Sequence, residues 1–184
     1  MRIVGGTFRG RTISAPKGMA TRPTTDRTRE SLFNVIEHTY GGCEGARVLD
    51  LFAGSGAMGL EALSRGASFA LFTDDAAAAR GAIQQNVETL GLQGATKIFR
   101  RDATQLGPRP ANLGATFTLI FCDPPYGKGL GALAISSARE GGWLADGALV
   151  LVEEVAGAFE APSGFHVEET RGFGDTEVMF LRLA

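Results

Sequence analysis

Little in this chain points to a membrane, a metal or an oxidising compartment. Its 184 residues include only two cysteines, Cys43 and Cys122, far apart and each in or beside an apolar stretch. That excludes a disulfide scaffold and a cysteine-ligated metal centre, and reads as buried thiols of a cytoplasmic protein. No metal is expected. No apolar run reaches the about 18 residues that a membrane span requires. The opening MRIVGGTFRGR carries charges but no apolar core of the kind a secretory signal needs. The two histidines, His38 and His166, have no partners in sequence and receive no role. Neither a repeat nor a low-complexity segment occurs.

What the chain does have is glycine, 26 in all, and an uneven charge. Residues 1–40 hold seven Lys/Arg against three Asp/Glu, whereas 41–184 hold eleven against seventeen. A basic arm on an acidic body suggests that the arm meets a polyanion. Within it, residues 2–14 read as two short strands around Gly5-Gly6 and Gly10, a β-hairpin. After a Pro/Gly/Thr connector, Thr25 or Asp26 caps a helix with Leu32, Phe33, Val35, Ile36 and Tyr40 on one stripe, stopped by Gly41-Gly42.

From there strands alternate with helices. Strands are expected at 47–52, 68–73, 95–99, 117–122 and 148–153, with two more at 164–168 and 177–183. Helices are expected at 57–65, 76–90 and within 130–139. The fold class is α/β, a doubly wound, mostly parallel sheet of seven strands with an antiparallel addition at the end. The expected division is a hairpin-plus-helix extension over 1–40 and a ligand-binding α/β domain over 41–184.

The first strand runs into Asp50-Leu51-Phe52-Ala53-Gly54-Ser55-Gly56, and Gly54, Gly56 and Gly59 complete a literal G-x-G-x-x-G. Alone, that pattern fits a dinucleotide pyrophosphate on a helix N-terminus, hence an NAD-type oxidoreductase. It fits equally a nucleoside cofactor without phosphates. Asp50 separates the two, because a carboxylate at the strand end repels phosphate and attracts a cation. S-adenosylmethionine, with a sulfonium, an ammonium and no phosphate, suits it. The second strand ends in Asp74-Asp75, about 20 residues past the first glycine, where an acid binds a ribose diol. Asp74 follows the apolar run directly, and Asp75 is the alternative. Past the third strand, Asp102-Ala103 offers an acceptor for an adenine amino group.

Asp123-Pro124-Pro125-Tyr126 closes the fourth strand at the same edge. Two prolines remove N–H donors and hold the preceding residue extended, so the corner presents acceptors in a fixed direction. Tyr126 adds a stacking face. Acceptors beside a ring suit a planar base with an exocyclic NH₂. Accepting both N–H bonds favours a pyramidal nitrogen whose lone pair can attack a methyl group.

DLFAGSG followed by DPPY resembles the amino-methyltransferases of class I, a Rossmann-like fold. MRIVGGTFRGR, RPTTDRTRESLFNVI and LDLFAGSGAMGLEALSRGA resemble the bacterial 16S rRNA guanine-N2 methyltransferase family, ribosomal small-subunit methyltransferase D. The likeness runs from residue 1 to about 153 and continues more faintly beyond. It implies S-adenosylmethionine held by Asp50, Phe52, Ala53, Gly54, Gly56, Asp74 or Asp75, Asp102 and Ala103, and catalysis at Asp123, Pro124, Pro125 and Tyr126. It further implies a monomer acting on one guanine of 16S rRNA in the small subunit. Arg9, Arg11, Arg22, Arg27 and Arg29 are then expected on rRNA phosphates. The competing readings are adenine N6 methylation of DNA or RNA, an NAD-type oxidoreductase, and a non-catalytic RNA-binding protein.

Overall fold

The computed structural model describes residues 1–18 and 24–184. Arg22, expected on RNA, lies outside the described residues. Seven strands form one sheet in the order β3-β2-β1-β4-β5-β7-β6. They are β1 (Arg47–Leu51), β2 (Phe69–Thr73), β3 (Thr96–Phe99), β4 (Phe117–Cys122), β5 (Leu144–Val155), β6 (Phe165–Phe173) and β7 (Thr176–Leu183). The first five run parallel, and β7 inserts antiparallel between β5 and β6.

Among the described residues, four α-helices cover the sheet: α1 (Asp26–Thr39), α2 (Ala57–Ser64), α3 (Ala77–Leu90) and α4 (Leu130–Glu140). Thr25 starts α1, its hydroxyl accepting from the Thr28 N–H at 3.1 Å. A glycine in the left-handed region, Gly91 with φ 69°, ends α3.

Alternation along the strands sorts the core into two layers. Val48, Ala70, Phe72, Phe121 and Leu151 meet α1, α2 and α3 on one face. Leu49, Leu71, Ile120, Val150 and Val152 meet α4 and Trp143 on the other. Ile3 and Ile13 of the arm are buried in the first layer with Leu32, Phe33 and Ile36 of α1, so residues 1–40 share the body's core.

The expected hairpin is present in short form, an antiparallel bridge Arg2↔Thr12 flanked by Ile3 N–H to Arg11 O and Ile13 N–H to Met1 O, each at 2.9 Å. Its turn side is tied to α2. The Val4 and Gly5 N–H groups donate to the Glu61 carboxylate at 2.9 Å each, and Thr7 N–H donates to Ser64 O at 2.8 Å. Gly6 (φ 78°) lies so close to α2 that a Cβ would fall 1.9 Å from Ser64 O. The arm is thus paired with itself and bolted onto α2 as well. No described helix is long and apolar enough to cross a membrane.

Candidate active site

Chain order reverses between β1 and β4, which places a crevice at their C-terminal ends. Leu51 is level with Thr73 on one side and with Cys122 on the other, and Cys122 is level with Val152. The residues that follow these strands therefore gather at one edge: the glycine loop, Asp74, Asp123 and Glu153.

The loop after β1 is tightly wound. Phe52 has φ 54°, the single positive φ outside glycine among the described residues, and Gly54 (59°) and Gly56 (79°) share that region. A bulky residue held there costs about 1–3 kcal/mol, and such strain concentrates at binding loops. Gly56 caps α2, and Ala53 N–H donates to Thr73 O at 3.0 Å. A Cβ on Gly54 would meet nothing within 4 Å, so the loop presents bare backbone to open space.

Asp50 lies beneath the loop, 3% exposed, its Oδ2 accepting from the Gly59 N–H at 3.0 Å. Burial, with the Asp74 charge adding, pushes its carboxyl up to about 8. Asp74 ties two elements: Oδ2 accepts from Gly54 N–H and Oδ1 from Ala76 N–H, each at 3.0 Å. Asp75 points into solvent. Between the two, only Asp74 touches the glycine loop. Asp102 is exposed, and the Thr104 hydroxyl and N–H hold its carboxyl below the usual range. Ala103 beside it is buried.

The proline corner closes β4. Asp123 is turned to the α1/α2 face, where Thr24, Leu32, Met58, Leu151 and Glu153 line the same cleft. Burial and the neighbouring Glu153 carboxylate push its carboxyl well above the usual range. The Thr24 hydroxyl reaches Asp123 Oδ2 at 3.4 Å. Pro124 is buried, whereas Pro125 is exposed. The Tyr126 hydroxyl donates to Glu153 Oε2. Gly127 N–H donates to the buried Glu154 at 2.8 Å, fixing the start of the next turn.

Asp50, Asp74 and Asp123 thus approach one edge, with Asp75 and Asp102 exposed on the surface. Glu153 and Glu154 were not singled out in the sequence. The signal was present, an acid at the C-terminal end of a fifth apolar strand, but only strand order makes β5 the neighbour of β4.

Of the arginines expected on RNA, Arg9, Arg11 and Arg27 are exposed, although Arg11 also donates to Thr89 O at 2.9 Å. Arg29 is a correction. It is fully buried, paired with Glu61 at 3.1 Å and Asp26 at 2.9 Å, and donates to Arg2 O. With the Arg65 guanidinium at 2.9 Å and the two arm N–H groups, Glu61 receives four donors. Arg29 is a bolt of the arm and presents no surface to a phosphate.

A doubly wound sheet with β7 reversed between β5 and β6, acids rather than a phosphate cradle at the glycine loop, and a proline corner at the switch point define a Rossmann-like class I methyltransferase. The model of a family described as conserved hypothetical protein 95 matches residues 1–182. The chain belongs to the ribosomal RNA small subunit methyltransferase D family. It is 40% identical to that methyltransferase of Escherichia coli strain K12 over 153 residues, covering 83% of this chain and 74% of the relative. The Haemophilus influenzae counterpart is 34% identical over 154 residues, covering 83% and 78%. The solved structure of yhhF from Escherichia coli superposes with a TM-score of 0.83 at 33% identity, over 100% of this chain and 97% of that one.

Proposed function

We propose that this chain transfers a methyl group from S-adenosylmethionine to the exocyclic 2-amino group of a guanine in 16S rRNA of the small ribosomal subunit. The observation that carries the reading is the convergence, at one switch point, of an open glycine loop floored by an acid and a rigid acceptor corner. The names of the relatives, small-subunit rRNA methyltransferases, support the substrate class.

The residues at the loop fit the cofactor. Gly54 and Gly56 expose backbone, Phe52 and Ala53 shape the turn, and Asp50 supplies a carboxyl that a sulfonium or ammonium would ionise. Asp74, already fixed on the loop, is the residue assigned to a ribose diol. Asp102 with Ala103 is assigned to the adenine edge. When bound, S-adenosylmethionine supplies a methyl carbon made electrophilic by a positively charged sulfur.

The chain's own residues prepare the amine. A base amine is a weak nucleophile because its lone pair is delocalised into the ring. The Asp123 carboxyl and a carbonyl of the Pro124-Pro125 corner accept its two N–H bonds and draw the nitrogen toward pyramidal geometry. Tyr126 offers its ring as a stacking surface. Once alkylated, the nitrogen carries an acidic proton that passes to water or to a neighbouring carboxylate, so no strong base is required.

Residues 1–40 serve as the RNA-contacting extension, with Arg9, Arg11, Arg22 and Arg27 on phosphates, and 41–184 as the methyl-transfer body. A base reached this way leaves its stack. Incubating the protein with undermethylated small subunits and isotopically labelled cofactor, followed by nucleoside analysis of the RNA, tests the reading. Label in N2-methylguanosine is expected. Label in N6-methyladenosine would move the chain to the adenine reading, and label nowhere would defeat the substrate assignment.

A further inference from the structure

We propose that Glu153 is a positioning residue of the acceptor corner, which holds Tyr126 through its phenol and shares one proton with Asp123 across the ends of β4 and β5. The inference rests on the reading of Asp123 as an amine acceptor.

The sheet brings the two carboxyls together. Cys122 and Val152 are paired in register, so Asp123 and Glu153 follow at the same level of neighbouring strands. Alternation puts Asp123 on the face of Phe121 and Glu153 on the face of Leu151, and all four line one cleft. The rest of that lining is mostly apolar: Leu32 from α1, Met58 from α2 and Val178 from β7. Among the described residues, the charges acting on Asp123 are those of Glu153 and Asp50, both acids. Glu154 is turned to the backbone, accepting from Gly127 N–H at 2.8 Å and Val155 N–H at 2.7 Å. Cys122 is buried on the other layer, and Thr24 contributes a neutral hydroxyl at 3.4 Å.

Two carboxyls side by side against apolar walls do not both ionise; they hold one proton between them. The Tyr126 hydroxyl donates to Glu153 Oε2, which commits that oxygen as an acceptor. The shared proton then lies toward Asp123, the carboxyl that burial and Glu153 drive upward. The arrangement does two things for an amine at the corner. The carbonyl oxygen of the Asp123 carboxyl accepts an N–H bond, and the pair's remaining negative charge can take up a second proton when the alkylated nitrogen sheds one, returning it to water after the product leaves.

Carbon-13 NMR of aspartate-labelled protein, free of ligand, reads the shared proton directly; the Asp123 carboxyl is assigned by its loss in Asp123→Asn. Its midpoint is expected well above the ordinary value of about 3.9. Glu153→Gln keeps an acceptor for Tyr126 but removes the partner acid, and the midpoint is expected to fall toward that value. Tyr126→Phe strips the donor from Glu153, lets the proton move to Glu153, and is expected to lower the Asp123 midpoint as well. Should Glu153→Gln not fold, Tyr126→Phe decides alone. In transfer assays, Glu153→Gln should lower kcat about a hundredfold with KM for subunits unchanged. An unmoved Asp123 midpoint in folded variants overturns the proton sharing, and an unmoved kcat overturns the positioning role. If Asp123→Ala itself transfers methyl groups at the full rate, the functional reading fails instead, even where the NMR midpoints behave as described.

Discussion

Asp50 shows how far a side chain's place can depart from its type. Its acid at the end of β1 was legible in the sequence. That its Oδ2 turns inward to the Gly59 N–H was not, because the direction is set by the entry of α2. The buried carboxyl, pushed up to about 8, makes stability depend on pH. The folded state binds this proton more tightly than the unfolded chain, so its contribution is fully present below about 4 and is lost as pH rises toward about 8. Urea midpoints taken across that window should decline in the native protein and decline less in Asp50→Asn. Gly59 is constrained next to it. A Cβ there would lie 2.5 Å from Cε1 of Phe72, itself fully buried, so Gly59→Ala is expected to cost about 1–3 kcal/mol in denaturant unfolding.

At the scale of elements, legibility followed hydrophobic period and capping. The apolar run FTLIFC is β4 to the residue, and the Thr25 cap with its i, i+3, i+4 stripe gives α1. Thr25→Ala should lower stability by about 1 kcal/mol, measured by thermal or urea unfolding, and Thr25→Asp should restore most of it. Where other forces decide, the sequence was quieter. β5 begins at Leu144, earlier than its apolar stretch, because Asp146-Gly147 interrupts the pattern where the pairing with β4 shifts register. β6 runs to Phe173 through HVEETRG, polar and largely exposed, as an edge strand can be. The arm's hairpin was legible but its attachment was not, since the Val4, Gly5 and Thr7 N–H groups go to Glu61 and Ser64 of α2, far away in sequence. Glu153 escaped notice for a related reason, since its partner is 30 residues earlier and only sheet order joins them.

For the whole molecule, the buried Arg29–Glu61 pair joins the arm to the body, while the exposed Arg9, Arg11 and Arg27 face outward. These two groups should respond differently to substitution. Arg29→Met leaves Glu61 with Arg65 as its one guanidinium partner and is expected to cost about 2 kcal/mol in unfolding, with the salt dependence of RNA binding unchanged. Replacing Arg9 or Arg27 by Ala should leave stability alone, weaken binding to small subunits and reduce the slope of log K against log salt by about 0.7 to 0.9 each, as read from filter binding or fluorescence titration. The central claim is that the corner of Asp123-Pro124-Pro125-Tyr126 performs methyl transfer at a cofactor held on the glycine loop. It is tested most directly by comparing native protein with Asp123→Ala for S-adenosylhomocysteine affinity by calorimetry and for labelled methyl transfer to small subunits. Retained affinity with transfer lost is the expected result; transfer at an undiminished rate by Asp123→Ala would contradict it.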